Sequence, residues 1–138
     1  MAVESAIAEL NPAVSSFLCA TPPRYATIAT TNPDGSPHQI VIWYLARDGQ
    51  LVVNSRHGRR WPANLRREGR ANVCVYEGEN AVTLECDLAR SYEGEQAQAD
   101  ISEMAIRYGS GANPRFRTER RVSFVLRPTR VHVHGDPH

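Results

Sequence analysis

Residues 24–55 read RYATIATTNPDGSPHQIVIWYLARDGQLVVNS, and this stretch decides the predicted fold. It is rich in β-branched and aromatic residues, which are typical of strands. The turn Asn32-Pro33-Asp34-Gly35 combines the fixed φ of proline with the positive φ that glycine tolerates, and a second turn is expected at residues 47–49. The stretch therefore predicts three antiparallel strands in a meander, the second over about residues 36–46 and the third from Leu51.

The segments on either side of this stretch predict short helices and further strands. Before it, apolar residues at helical spacing predict a helix from Val3, a break at Asn11-Pro12 and a second helix from about Pro12. After it, helices are predicted over residues 61–67 and 94–108, ended by Gly69 and Gly109, and residues 110–117 are predicted to form a loop. Further strands are predicted over residues 71–76, 81–88, 122–126 and 129–133, the last two forming one bent strand or two around Pro128.

Length and strand number together indicate the architecture. A chain of 138 residues with 41% hydrophobic content can bury one core but not comfortably two. Six or seven antiparallel strands are too many for an open sheet of this size without some closure, because unpaired edges invite aggregation. We therefore predict a single domain over residues 1–138, mainly β (α+β), built as a small antiparallel barrel with short flanking helices.

Charge, cysteines and hydropathy exclude several classes of protein. The 16 basic and 15 acidic side chains leave a net charge of +1, so any anion site must be local, and neither nucleic acid nor a membrane surface is an expected partner. The three cysteines lack CxxC spacing, which favours reduced thiols over a disulfide framework or a zinc site. No secretory signal and no apolar run of ~18 residues is visible, so we expect a cytoplasmic protein.

The strongest local signal for a binding site is the strand, loop and helix over residues 53–65. Arg56, Arg59 and Arg60 lie within five residues, a glycine permits close approach, and Ser55 offers a hydroxyl. The helix that follows begins with unpaired N–H groups and a positive dipole end, which also favour an anion. These features suit a phosphate group, and the alternative is a solvated basic turn.

Other possible sites are weaker. His132 and His134 lie on one face of a strand and could chelate a metal, but no third ligand is visible, and an exposed strand end is the alternative, so we predict no metal site. Ser55 and Ser91 have no histidine and carboxylate at the spacing of an acyl-transfer triad. The chain contains neither GxGxxG nor GxxxxGK, which argues against nicotinamide binding in a Rossmann fold and against P-loop chemistry.

Several short motifs resemble one known superfamily in their order and spacing. These are the hairpin over residues 24–38, Ile42-Trp43-Tyr44, the strand over 51–55, the basic loop, Asn64-Leu65 and Arg70-Ala71-Asn72-Val73. They resemble the pyridoxamine 5′-phosphate oxidase-like, FMN-binding split-barrel superfamily. Within it, the chain is most similar to the deazaflavin-dependent branch that uses coenzyme F-420, which includes small reductases of biliverdin type. The resemblance covers about residues 12–134 and leaves residues 1–11 as an N-terminal helical arm.

The resemblance implies a split β-barrel homodimer with two cofactors at the subunit interface. Backbone hydrogen bonds to the edge of the tricyclic ring are implied for the second strand, at His38, Gln39, Ile40 and Val41. Contacts with the phosphate and the ribityl chain are implied for Asn54, Ser55 and Arg56, with Arg59 and Arg60 closing on the phosphate. Tyr76 is expected to reach the ring bound by the partner.

The implied reaction is hydride transfer from reduced coenzyme F-420 to a conjugated acceptor, such as biliverdin or another tetrapyrrole, or a quinone. FMN is the alternative cofactor of the same fold, and a non-catalytic module that binds a flavin or haem is the alternative function. The anionic tail of F-420 favours extra positive charge near the site, which Arg24, Arg66 and Arg67 could supply, and the alternative is that these three are solvated. No side chain stands out as a general acid, so the catalytic residues stay unassigned.

Overall fold

The structure is a computed structural model that describes residues 10–111 and 113–137. Seven strands form one antiparallel sheet and four helices flank it within these residues. The strands are β1 (Ala26–Thr31), β2 (Pro37–Ile42), β3 (Leu45–Arg47), β4 (Gln50–Arg56), β5 (Arg70–Glu77), β6 (Asn80–Glu93) and β7 (Arg121–His134). The helices are α1 (Pro12–Leu18), α2 (Arg60–Glu68), α3 (Glu95–Arg107) and α4 (Arg115–Thr118). The helix predicted from Val3 lies in residues 1–9, outside the described residues.

The order of the strands shows that the sheet curls into a barrel. Neighbouring strands follow the order β2-β1-β5-β6-β7-β4-β3, so β2 and β3 are the two edges. Only Trp43 and Tyr44 separate these edges along the chain. Because consecutive Cα atoms are about 3.8 Å apart, Ile42 and Leu45 cannot be more than about 11 Å apart. The edges therefore nearly meet, and the result is a split β-barrel, as predicted.

The predicted three-stranded meander is wrong. The segment predicted as one strand over residues 36–46 breaks at Trp43-Tyr44 into β2 and β3. β2 pairs with β1, whereas β3 pairs with β4 on the other side of the split. The break occurs because Tyr44 turns fully into the core, where its hydroxyl donates a 2.5 Å hydrogen bond to the carbonyl of Leu18. This contact ties the corner to the end of α1.

The last two strands are longer and more irregular than predicted. β7 is one continuous strand, and Glu85 pairs with Arg130 while Cys86 pairs with Pro128. Thr129 is therefore an extra residue in a bulge, which lets the sheet bend beside a proline that cannot donate a backbone hydrogen bond. The predicted loop over residues 110–117 contains the start of α4, and β6 runs on to Glu93 instead of ending at residue 88.

Apolar side chains fill the barrel and attach the helices to it. The main core takes the inward positions of the strands together with residues of α1 and α2, including Phe17, Ile28, Leu51, Trp61, Leu65, Val73, Leu84 and Phe124. A second, smaller cluster packs α3 against β3, β4 and β7 through Leu45, Val52, Ile101, Met104 and Val125. This second cluster holds α3 beside the split.

Candidate functional site

A cavity of about 310 Å³ lies at the split of the barrel. One wall comes from the β2 edge at Ile40, Val41 and Ile42, and the opposite wall comes from α3 at Ile101 and Met104. The remaining lining residues are Trp43, Asn54, Ser55, Arg56, Arg59, Trp61, Phe116 and Arg121. The cavity is therefore apolar along β2 and α3 and strongly basic at the other end.

The cavity exists because β3 is too short to cover β4. β3 pairs only with the first half of β4, from Leu45 opposite Val52 to Arg47 opposite Gln50. Residues 53–56 have β7 on one side and no strand on the other in the described sheet. Backbone N–H and C=O groups that face such a gap require a partner. The strand edges at the split can therefore hydrogen-bond a ligand that enters the cavity.

The basic end of the cavity continues into a second cavity of about 410 Å³. The two share Arg56, Arg59, Phe116 and Arg121, and the second adds Arg115 and Glu119. Four arginines thus face one carboxylate in a chain whose net charge is only +1. A local positive potential of this kind attracts an anionic ligand even when the whole protein is nearly neutral.

Arg121 is the most constrained of these arginines. Its side chain is 9% exposed, its Nε donates to Asn54 Oδ1 at 2.9 Å, and its Nη1 donates to Glu119 Oε1 at 2.9 Å. Burial lowers the pKa of Arg121, and the Glu119 carboxylate opposes this effect. The positive charges of Arg59 and Arg56 lower the Arg121 pKa further. An anion between the three guanidinium groups would relieve this repulsion, which fits a phosphate group.

Sequence reasoning missed Arg121 because the residue lies 65 positions away from Arg56 along the chain. The antiparallel pairing of β4 with β7 places the two directly opposite each other. Like charges at such cross-strand positions destabilise a sheet unless something neutralises them. Arg121 stands next to the start of the strand predicted at residue 122, but the pairing register that brings it to Arg56 was not readable from the sequence.

Comparison with known families and structures identifies this fold. The family model described as pyridoxamine 5′-phosphate oxidase matches residues 10–135. The chain belongs to the pyridoxamine 5′-phosphate oxidase family. The comparison with curated proteins found no match for this chain.

Solved structures of the same fold include proteins with different descriptions. A conserved hypothetical protein of Mycobacterium tuberculosis has a TM-score of 0.75 and 21% identity, with 92% of this chain and 86% of that chain covered. An F-420 reductase has a TM-score of 0.75 and 20% identity, with 85% and 94% covered. A pyridoxamine 5′-phosphate oxidase-related, FMN-binding protein of Nostoc punctiforme has a TM-score of 0.65 and 16% identity, with 94% and 88% covered. At these identities the likeness shows the split-barrel fold of the family.

Six of the ten residues predicted to hold the cofactor line the cavity of this family member: Ile40, Val41, Asn54, Ser55, Arg56 and Arg59. Two of them have structural partners already. The Ser55 hydroxyl donates to the carbonyl of Arg56 at 2.9 Å. The Asn54 amide nitrogen donates to the Ala97 carbonyl at 3.0 Å and to Ser123 Oγ at 2.9 Å. The side chain of Asn54 therefore braces α3 and β7 as well as contacting Arg121.

The other four predicted residues are outside this cavity. Arg60 lines a separate cavity with Asn32, Pro33, Asp34 and Ser36, because it is the first residue of α2 and the helix directs it away from Arg59. His38 and Gln39 lie further along β2, and Tyr76 is a 61% exposed residue of β5, two strands from the β2 edge. Within one subunit these side chains are not part of the cavity lining.

The three arginines considered as a source of extra positive charge near the site have contacts elsewhere. Arg24 donates to the Phe17 carbonyl at 2.7 Å and pairs with Glu77 at 2.9 Å. Arg66 lies over the Phe124 ring at 5.3 Å, and Arg67 donates to the Thr31 carbonyl and to Asn64. None of the three lines either cavity described above. The extra positive charge beside the site comes instead from Arg115 and Arg121.

The remaining expectations concern metals and membranes. His132 Nε2 lies 2.6 Å from Glu85 Oε2, so this histidine has a hydrogen-bond partner on the outer face of the sheet. Over residues 10–111 and 113–137, no group of three or more His, Cys, Asp or Glu side chains could hold a metal ion. In the same part of the chain, no helix has the length and apolar character needed to cross a membrane.

Proposed function

We propose that this protein is an oxidoreductase that binds coenzyme F-420 in the split of the barrel and transfers a hydride from its reduced form to a conjugated acceptor. Biliverdin or another tetrapyrrole, or a quinone, is the proposed class of acceptor. The observation that carries the proposal is a cavity with an apolar wall along β2 and α3 and a basic end at Arg56, Arg59 and Arg121. The cofactor has a planar, largely apolar ring that would match the apolar wall, and an anionic side chain that would match the basic end.

The second cavity favours the deazaflavin over FMN. FMN ends at its phosphate, which the shared arginines can neutralise. F-420 continues beyond its phosphate into a tail with carboxylates, and the second cavity continues beyond the first with Arg115 beside Arg121. Arginine binds carboxylates and phosphates in the same two-point geometry, so this extension suits a ligand with several anionic groups. FMN-dependent chemistry in the same cavity is the alternative.

The protein contributes orientation and the exclusion of water. A bound deazaflavin supplies a hydride donor, and effective transfer depends on holding donor and acceptor in a fixed geometry. No His, Cys, Asp or Glu side chain belongs to the described lining of the first cavity. We therefore assign any proton that the acceptor needs to solvent or to a water molecule held by an arginine.

We propose that the functional unit is a homodimer. Val41 lines the cavity but is 62% exposed, so the cavity is open on that side in one subunit. Val41 pairs with Thr27, and Thr27 pairs with Cys74, so these residues form a row across the outer face of the sheet. A second copy on this face would cover Val41 and bring Tyr76 to the ring bound by its partner. We also propose a cytoplasmic location, in which the free cysteines of the chain stay reduced.

The experiment that tests the proposal is a fluorescence titration of the purified protein with F-420 and with FMN. Both tryptophans of the chain, Trp43 and Trp61, line the cavity, so their fluorescence reports directly on it. We expect tight binding of F-420 and weak binding of FMN. Tight FMN binding would assign the protein to the flavin-dependent branch, and binding of neither would refute the oxidoreductase proposal.

Two neighbouring arginines provide a matched pair of variants. Arg59→Gln should weaken F-420 binding by about 10- to 100-fold, because a hydrogen bond to a charged group contributes about 1.5–3 kcal/mol. Arg60→Gln should leave binding unchanged, since Arg60 lines a different cavity. Equal losses in both variants would support the sequence-based assignment of Arg60 instead. Oxidation of reduced F-420 in the presence of biliverdin or a quinone would distinguish an enzyme from a module that only stores the cofactor.

A further inference from the structure

A line of three hydrogen bonds connects the basic end of the cavity to a carboxylate outside it. Arg121 Nε donates to Asn54 Oδ1 at 2.9 Å, and Asn54 Nδ2 donates to Ser123 Oγ at 2.9 Å. Ser123 Oγ then donates to Asp100 Oδ2 at 2.7 Å. Ser123 and Asp100 are both 0% exposed and do not line the cavity. Asp100 is therefore too deeply buried to touch a ligand directly.

Asp100 accepts three further hydrogen bonds besides the one from Ser123. Tyr92 donates to it at 2.5 Å, Arg47 Nη1 at 2.9 Å and Gln96 Nε2 at 3.0 Å. Burial raises the pKa of Asp100, but these hydrogen bonds outweigh burial and the pKa lies below its ordinary value. The carboxylate is therefore ionised at neutral pH and can only accept hydrogen bonds.

An acceptor at one end of the line fixes the direction of every bond in it. Because Asp100 can only accept, the Ser123 hydroxyl must donate to it and present a lone pair to Asn54. Asn54 must then direct its amide nitrogen towards Ser123, which leaves its amide oxygen for Arg121. The second hydrogen of the same amide nitrogen reaches the Ala97 carbonyl at 3.0 Å, which agrees with this orientation.

We propose that Asp100 is a positioning residue for anion binding: through Ser123 and Asn54 it holds the Arg121 guanidinium in the orientation that receives the anionic group of the ligand. The proposal rests on the proposed function for the identity of that ligand, whereas the anion site itself can be probed with inorganic pyrophosphate. It explains why a buried carboxylate with four donors lies behind a cluster of arginines.

The test is a titration of the full-length protein with pyrophosphate, followed by the fluorescence of Trp43 and Trp61. Asp100→Asn and Ser123→Ala should each weaken pyrophosphate binding by about tenfold, comparable to the loss of one hydrogen bond to a charged group. Glu95→Gln is the matched control, because Glu95 is an exposed carboxylate of the same helix and lines a cavity that shares no residue with the basic ones. This control should bind within about twofold of the wild type.

A double-variant comparison separates positioning from general destabilisation. If Ser123 acts through Arg121, then Ser123→Ala should have no further effect on pyrophosphate affinity in the Arg121→Gln protein. Independent, additive losses would overturn the proposal, and so would wild-type affinity in Ser123→Ala or no pyrophosphate binding by the wild type. If Asp100→Asn does not fold, Ser123→Ala decides the question. Pyrophosphate binding without F-420 or FMN binding would refute the proposed function and leave this inference intact.

Discussion

Replacing Arg121 by glutamine should separate the affinity for an anionic ligand from the stability of the ligand-free protein. The substitution removes the ion pair with Glu119, whose side chain is 23% exposed and can be solvated by water. Glutamine can still donate a hydrogen bond to Asn54, and it removes a buried charge that Arg56 and Arg59 repel. An ion pair with a partly exposed partner contributes only about 0–1 kcal/mol, and its loss is offset here by the relief of repulsion from Arg56 and Arg59, so we expect the free energy of unfolding to change by no more than about 1 kcal/mol.

The effect on the ligand-bound protein should be much larger. A loss of about 2.7 kcal/mol in binding energy, within the range for hydrogen bonds to charged groups, weakens the affinity about 100-fold. A ligand present at about 100 times the wild-type Kd stabilises the wild type by about 2.7 kcal/mol. At the same concentration it would stabilise the Arg121→Gln protein by only about 0.4 kcal/mol.

The assay is urea unfolding of both proteins with and without the ligand, using pyrophosphate and F-420 in separate series. Arg120→Gln is the matched control, because Arg120 is the preceding residue, is 67% exposed and pairs with Glu93 at 2.7 Å outside the cavity. The control should keep the full stabilisation by ligand. Full stabilisation of Arg121→Gln by ligand would refute the anion site. A loss of more than about 3 kcal/mol without ligand would show that Arg121 is mainly structural.

Three further predictions concern stability and reactivity. The wild type should be more stable than Asp100→Asn at neutral pH, and urea unfolding should show this difference shrinking as the pH falls below about 4. The reason is that the folded protein lowers the pKa of Asp100, so this carboxyl favours folding only while it is ionised. Cys86 should resist a thiol reagent at neutral pH while exposed Cys19 reacts, as mass spectrometry would show, since burial raises the pKa of Cys86 to about 12. Gly69→Ala should lower the free energy of unfolding by about 1–2 kcal/mol, because Gly69 ends α2 with a φ of 72°; an unchanged urea midpoint would contradict this.

Positive charge is concentrated at the split of the barrel, which is how a nearly neutral chain would hold the proposed anion. Arg56, Arg59, Arg115 and Arg121 face Glu119, whereas several arginines elsewhere each pair with a carboxylate, as Arg24 does with Glu77. The buried Asp100 lies behind this cluster without reaching the ligand space. The arginines of this cluster repel one another in the ligand-free protein, and an anion bound among them would relieve that repulsion.

Local features were predictable from the sequence because they depend on residues that are close along the chain. The turn at Asn32-Pro33-Asp34-Gly35 forms as expected, and Asn11 caps α1 by accepting a 2.8 Å hydrogen bond from the Ala13 N–H. Gly69 ends α2 at the predicted position. Arg56 and Arg59 of the basic loop line the cavity, whereas their contact with a phosphate group stays a prediction. Strand count and closure followed from these same local patterns.

Tertiary structure alone decided which side chains share the site. The register of β4 with β7 places Arg121 opposite Arg56, and a shift by one residue would turn it to the other face of the sheet. The packing of α3 brings Asp100 to Ser123, and the start of α2 directs Arg60 away from Arg59. The first two contacts join residues that are distant along the chain. The third separates two neighbours, Arg59 and Arg60, whose side chains point in different directions. The sequence determined the elements and the basic loop, whereas strand register and helix packing determined which arginines line the cavity, because only they bring charges that are distant along the chain close together.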